Sequence, residues 1–421
     1  MREVTQPVRA RGTMLSAVAV VAALAALLAF APFASATSDP VASGTTSVTL
    51  NKGLYKKLSK YGIKVLKVSP GKVNKRKITL PVASGSMDPT NGLGSLELSG
   101  GFKFKAGKKQ APVKALILDT AQSKLTGKVA NKKMKIATVS GLTYARNGFG
   151  VNVNVAKMKL TGNAAKQLNK KLGFTGSKKK GGKKSSASVS KTTQPPFKGG
   201  QVLGGSFSET QPKTVAVIAT GEVQLVLNPE ALKKLALIGP EFPPASGEHP
   251  FAVKLAPVSP TKIVSLSPVT AAFPISGGTI GPTATAGILQ TAGGLTLTQS
   301  LEGAPPPGTK GVTVLTMGNI YIDLGAKTAT VEVSITNEKT PELNKGNIGR
   351  SSIADINLTG ATITSDPTAR TVSVQNASAT LQQVTAEVLN SVFVEPIEGK
   401  GKGVFAGGDP LGTFSFTAHT Q

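Results

Sequence analysis

Side chains that do chemistry are few and scattered in this chain. It contains two histidines, His249 in "GEHP" and His419 in the last few residues, and no cysteine. Neither histidine has a second ligand at the spacing a metal site uses, and thiolate sites are excluded outright. No nucleophile elbow, Walker loop or HExxH spacing occurs. The acids of residues 37–211 are Asp39, Asp88, Glu97, Asp119 and Glu209, spread over turns and strands, so no acid and base are brought together. An enzyme is not expected. "SMDPTNGLG" around Asp88 could cradle a cation or phosphate, but a matching stretch downstream has Gly281 in place of the acid, which favours a plain turn.

Charge is the stronger signal. The chain carries a net charge of +28, and residues 37–211, with 31 Lys and 2 Arg against 5 acids, hold essentially all of the excess. Residues 212–421 have 11 Lys and 2 Arg against 15 acids, which is slightly acidic. The run "SKKKGGKKSSASVSK" concentrates the charge at Lys178, Lys179, Lys180, Lys183 and Lys184, inside a Gly/Ser-rich loop over 175–198. Such a field attracts polyanions such as anionic wall polymers or a lipid surface, and it also serves simply as a solvated face. Lysine gives point-charge attraction rather than bidentate recognition. The basic stretches lack aromatic stacking platforms, so dedicated nucleic-acid binding is not expected.

The elements that must position these groups begin after an export signal. Arg2, Arg9 and Arg11 precede the apolar run "MLSAVAVVAALAALLAF", and Ala34 and Ala36 in "FASA" suit cleavage, so residues 1–36 read as a signal peptide, with a retained anchor as the alternative. The expected location is extracellular, soluble or wall-associated. Without cysteine, stability there must come from apolar burial. "FGVNVNVAKMKL", "TATVEVSI" and "RTVSVQNASATL" alternate with period two, and abundant Gly and Pro supply turns, so the chain reads as all-β.

It also reads as a duplication. "PVASGSMDPTNGLGSLELSGG" (81–101) returns as "PISGGTIGPTATAGILQTAGG" (274–294) without a gap. Collinear matches follow: 50–62 with 227–239, 116–129 with 320–333, 136–141 with 353–358, 160–169 with 381–390, and 199–211 with 407–421. Asn51 and Asn228 stand at helix N-caps, and Gly62 and Gly239 stand where a left-handed stop is needed. Each short helix then presents Tyr55, Leu58 and Tyr61, or Leu232, Leu235 and Ile238, to the open end of a sheet. We therefore expect two tandem homologous β-sandwich or barrel-like domains with short capping helices, one over 37–211 and one over 212–421.

The segments "LPVASGSMDPTNGLGSLELSGGFKF", "FPISGGTI", "LILD" and "LTGNAAKQLN" resemble the Htaa domain of secreted actinobacterial proteins. That resemblance implies a repeated β-rich domain that binds haem at the cell surface through a tyrosine with a histidine nearby. Tyr55 and Tyr61 lie in the segment where that tyrosine is expected. Their second-copy counterparts are aliphatic, which a packed ring tolerates and an iron ligand does not. The Gly-His pair of the family is replaced by "KAGKK" and "TQSLEG", and there is no tryptophan. Tyr321, which replaces Ile117 on a strand, is expected in the core. The leading expectation is a secreted, non-enzymatic binding protein for haem or another anionic ligand. The alternative is an envelope structural or adhesive protein held to anionic wall polymers by the basic first domain.

Overall fold

The computed structural model describes residues 38–174, 194–238, 251–303, 310–401 and 403–421. The signal segment, His249 and the lysines at 178–184 lie outside them. In the first strand, β1 (Asp39–Leu50), Thr46, Val48 and Leu50 are buried while the residues between them are not, which is the period-two signature of a wall with one side inward. The chain continues through helix α1 (Lys52–Lys60), β2 (Ile63–Val68), β3 (Lys72–Asn74), β4 (Lys77–Met87) and β5 (Gly94–Ala106). Next come β6 (Lys109–Asp119), β7 (Lys124–Val129), β8 (Lys132–Asn147), β9 (Gly150–Leu160), α2 (Gly162–Leu172) and β10 (Val202–Pro212).

Strands β5-β6-β7-β8-β9-β10-β1-β4 pair in that order, and β4 pairs back onto β5, closing an eight-stranded antiparallel barrel that leaves no free edge among its staves. On the edge away from β6, strand β5 serves two partners. Its first half pairs with β4 and its second half with β2. The switch falls at Gly100, where φ is +77° and a Cβ would lie 2.6 Å from the Gly71 nitrogen. Only glycine fits that corner.

The second copy repeats this with β11 (Val215–Ala216), β12 (Glu222–Leu227), α3 (Pro229–Ala236), β13 (Lys254–Val258), β14 (Lys262–Leu266) and β15 (Val269–Ile280). It continues with β16 (Gly287–Thr291), β17 (Gly294–Ser300), β18 (Val312–Asp323), β19 (Thr328–Thr336), β20 (Gly346–Asn357) and β21 (Thr362–Asp366). Strand β22 (Thr371–Leu381), helix α4 (Gln383–Leu389) and β23 (Pro410–His419) complete it. Here the staves run β16-β18-β19-β20-β22-β23-β12-β15 and close through β15–β16. Gly293, with φ +82°, occupies the corner held by Gly100, and it separates β16 from β17 where β5 was continuous.

Register makes the equivalence residue-specific. Leu50 faces Gly204 and Leu227 faces Gly412; Thr45 faces Pro81 and Glu222 faces Pro274; Ala137 faces Leu160 and Ala354 faces Leu381. Thus the repeated glycine-rich punctuation is the strand, turn and partner switch that closes each barrel.

The N-caps form as the sequence implies, and Gly239 lies outside the described residues. Asn51 Oδ1 accepts from the backbone N–H groups of Gly53 (2.9 Å) and Leu54 (3.2 Å), and Asn228 Oδ1 accepts from Glu230 N–H (2.8 Å). Gly62 is left-handed at φ +65°. The buried face of α1 is Leu54 and Leu58, not the expected Tyr55, Leu58, Tyr61 stripe, because residues at i and i+4 share a face and Tyr55 lies one step around the helix. The first barrel holds one continuous core, whereas the second core divides into two clusters that share the partly exposed Leu255, Met317, Ile320, Ile353 and Leu411.

Candidate functional site

Both candidate tyrosines sit on or beside α1 at the top of a filled barrel. Tyr61 donates its hydroxyl to the Gln194 backbone oxygen (2.7 Å) and packs edge-on against Phe174. Tyr55 is half-buried against the core. Beneath them, Phe104 contacts Phe102 and Phe197 edge-on at centroid distances of 5.5 and 4.9 Å. Phe197 belongs to the end of the lysine-rich stretch, so residues 194–198 are part of the barrel rather than of an excursion. Asn169 fixes it, donating to Phe197 O (2.8 Å) and accepting from Phe197 N–H (3.2 Å). The gap among Val48, Phe102, Leu116 and Met158 at the centre of this barrel is about 10 Å³.

The second barrel keeps the frame and loses the filling. Asn390 clasps Phe405 as Asn169 clasps Phe197, with bonds of 2.8 and 3.0 Å. Register then places Leu295 and Leu297 where the first barrel has Phe102 and Phe104, Ala231 where it has Leu54, and Ala379 where it has Met158. Four large side chains have become smaller. A cavity of about 150 Å³ opens beneath α3, lined by aliphatic side chains. A second chamber of about 60 Å³ lies below it, and the two share Leu225, Ile320, Ile353 and Leu411. These four inward-facing residues, and Met317, stay partly accessible, whereas their first-barrel counterparts Val48, Leu116, Ile136, Leu203 and Val113 are all at 4% exposure or less.

Polar groups at the upper chamber come from α3 and the turn before β23. Lys234 pairs with Asp409 at 2.5 Å, and Glu230 pairs with Lys233 at 2.7 Å. Burial pushes the Asp409 carboxyl up, but the Lys234 ammonium and the Ala406 N–H outweigh it and hold the group below the ordinary carboxylate range.

The outer walls differ as sharply. On β6-β7-β8, Lys114 faces Lys128 and Lys128 faces Lys133 across the strands, with no carboxylate at ion-pair distance among the described residues. The first barrel's one ion pair among the described residues is Lys124–Asp119 at 3.6 Å. The positions equivalent to Lys128 and Lys133 are Glu332 and Arg350, which pair at 3.7 Å, and Arg350 also covers the ring of Tyr321 at 3.4 Å. Tyr321 therefore faces outward instead of into the core, because Ile320 and Ile322 on either side of it take the inward positions. Sequence reading missed the lysine row, since strand pairing brings together residues that are distant along the chain.

The remaining candidates hold no assembled chemistry. Asp88 spends its carboxylate on its own turn, accepting from Thr90 N–H (2.8 Å), Thr90 Oγ1 (2.6 Å) and Asn91 Nδ2 (2.6 Å). His419 is the exposed last residue of β23 rather than part of a loose tail. Among the described residues no group of three His, Cys, Asp or Glu could hold a metal.

The barrels meet at a seam. Phe149 of the first joins the core of the second, and Arg146 donates to the Gln421 backbone oxygen while its Nε and Nη1 have no hydrogen-bond partner among the described residues. Close by, Asp39 accepts from the Ala216 N–H, and burial raises its carboxyl to about 6 against the opposing pull of Arg146.

No family model matches the chain, and no curated protein matches it. Among solved structures it is similar to the C-terminal domain of HtaA from Corynebacterium glutamicum, at 12% identity and TM-score 0.30, over 41% of this chain and 99% of that one. A domain-swapped dimeric variant of the same domain matches at 14% identity and TM-score 0.28, over 40% of this chain and 83% of that one.

Proposed function

We propose that this chain is a non-enzymatic binding protein acting outside the cell, and that its second barrel is the ligand-holding unit. One observation carries the reading: five inward-facing aliphatic residues of the second barrel remain accessible where their counterparts in the first are sealed. An apolar cavity of this size stays dry and takes an apolar guest of about the size of benzene. Such a guest recovers burial worth roughly 25 cal/mol per Å².

The tyrosines do not fit a haem iron. Tyr61 is committed to Gln194 O, Tyr55 packs against a core whose central gap is about 10 Å³, and the one described histidine, His419, ends a strand of the other barrel. The second barrel offers no tyrosine at the matching helix positions, where Leu232 and Ile238 stand. Calorimetric titration of the full chain with benzene tests the reading, with haem titration beside it. We expect a single saturable benzene site that disappears in Leu297→Phe, and no Soret shift. A flat benzene isotherm, or one unchanged in Leu297→Phe, would overturn the assignment.

A second reading has its own support. The unneutralised row Lys114, Lys128 and Lys133 favours attachment of the first barrel to an anionic wall polymer or lipid surface. Retention on isolated anionic wall polymer that weakens with added salt is the expected result.

A further inference from the structure

We infer that the second barrel takes a single unbranched alkyl chain with an uncharged hydroxyl head, the chain running down the barrel axis and the head stopping at Lys234 and Asp409. The inference rests on the cavity being a ligand site at all, and it adds the shape and polarity of the guest.

Shape comes from the stacking of the two chambers. On β12 the lining residues are Leu227 above, Leu225 at the junction and Val223 below. At about 3.3 Å per residue these levels span ~13 Å along the strand. The space is therefore long and narrow, pinched by the ring of Leu225, Ile320, Ile353 and Leu411, and it suits a chain that can thread rather than a fused ring system. The lower chamber exists because Ala379 stands where Met158 fills the first barrel. Its one polar side chain, Thr291, is already committed to the Ile320 backbone oxygen at 3.2 Å. No head group is accommodated there.

Polarity comes from the opening. The charged side chains that line the upper chamber are Glu230, Lys234 and Asp409; Lys234 pairs with Asp409, Glu230 pairs with Lys233 outside the lining, and Thr385 donates to Ser352 O at 3.0 Å. An anionic head would have to share the Lys234 ammonium with Asp409 and would meet the repulsion of that carboxylate in a site partly shielded from water. A hydroxyl head can donate to Asp409 and leave the pair intact.

The test is calorimetric titration of the full chain with 1-alkanols from butanol to dodecanol, with alkanoates of equal length, and with benzene. Affinity should rise about fourfold per added methylene until the lower chamber is full, and each alkanol should bind more tightly than its alkanoate. Ala379→Met should leave the shortest alcohols unaffected and abolish the gain for the longer ones. Leu297→Phe should weaken the whole series, and thermal unfolding of each variant checks that it folds. If benzene binds but alkanol affinity is independent of length, the chain assignment fails while the cavity assignment stands. Tighter binding of alkanoates would overturn the head-group assignment. If neither benzene nor any alkanol binds, the cavity assignment and this one fall together.

Discussion

Lys128 and Lys133 face each other across β7 and β8 in the first barrel, and the same two positions in the second barrel are Glu332 and Arg350, an ion pair at 3.7 Å. Like charges placed directly opposite on a sheet oppose folding, so the first barrel holds this arrangement at a cost in stability that the second copy shows to be unnecessary for the fold.

Lys128→Glu should therefore act in opposite directions on stability and on binding. It sets an acid between Lys114 and Lys133, and should raise unfolding stability by about 0.2–1 kcal/mol. Retention on an anionic polymer should fall, and with it the salt dependence. Chemical denaturation and salt-gradient elution measure the two effects. Loss of stability without loss of retention would show that the row is an ordinary solvated face.

The two barrels also predict each other's interiors. Replacing Phe102 and Phe104 together by Leu gives the first barrel the second's side chains at these positions, and should open a cavity there and create a benzene site. Truncating Phe104 fully to Ala should cost about 3–5 kcal/mol, because the walls cannot collapse around Phe197. Leu297→Phe should do the reverse in the second barrel, with a higher midpoint of unfolding and no benzene bound. Calorimetry on the double and single variants distinguishes filling from distortion: a filled cavity gains stability, a strained one loses it.

Parts of this were legible in the chain and parts were not, for physical reasons. The glycine-rich repeat was legible because the corners at Gly100 and Gly293 admit no other residue, so backbone geometry writes itself into sequence. The caps at Asn51 and Asn228 were legible for the same kind of reason: an unpaired helix N–H needs a short acceptor. The cavity was not. Phe104 and Leu297 both read as core, and the emptiness comes from reductions at Leu295, Leu297 and Ala231 around the upper chamber and at Ala379 around the lower one, on elements far apart in the chain. The lysine row was hidden because pairing partners are unknown before the barrel closes. The tyrosines were misplaced by a single residue of helix, which turns a side chain about a quarter of the way around the axis.

The asparagine clasps give a third prediction. Asn169 and Asn390 each hold the backbone of a buried phenylalanine, and Asn390 also accepts from Val404 N–H at 2.9 Å. Substituting either by Ala strands buried backbone groups and should cost about 1–3 kcal/mol. The functional consequence should differ, since Phe405 lines the upper chamber and Phe197 only fills its barrel. Asn390→Ala should weaken guest binding, whereas Asn169→Ala should leave it at the wild-type value once both are measured well below their unfolding midpoints.

The seam supplies a pH dependence whose sign is fixed. Burial is the largest influence on Asp39 and raises its carboxyl from 3.8 to about 6; Asp88 adds to the rise, while Arg146 and the Ala216 N–H oppose it. The folded chain then keeps a proton that the unfolded chain has already released, so this group's contribution is fully present below the unfolded value and is lost as pH rises through about 6. Because the Ala216 N–H comes from the second barrel, deprotonation places a charge that Arg146 and this N–H only partly compensate between the barrels rather than within one of them. Asp39→Asn mimics the protonated acid and should match the wild type in acid, exceed it in stability at neutral pH, and flatten the difference between them below pH 4. Unfolding midpoints of both proteins across that range test the assignment. A wild type that gains stability relative to Asp39→Asn as pH rises would mean that Arg146 dominates and that the carboxyl is ionised in the seam.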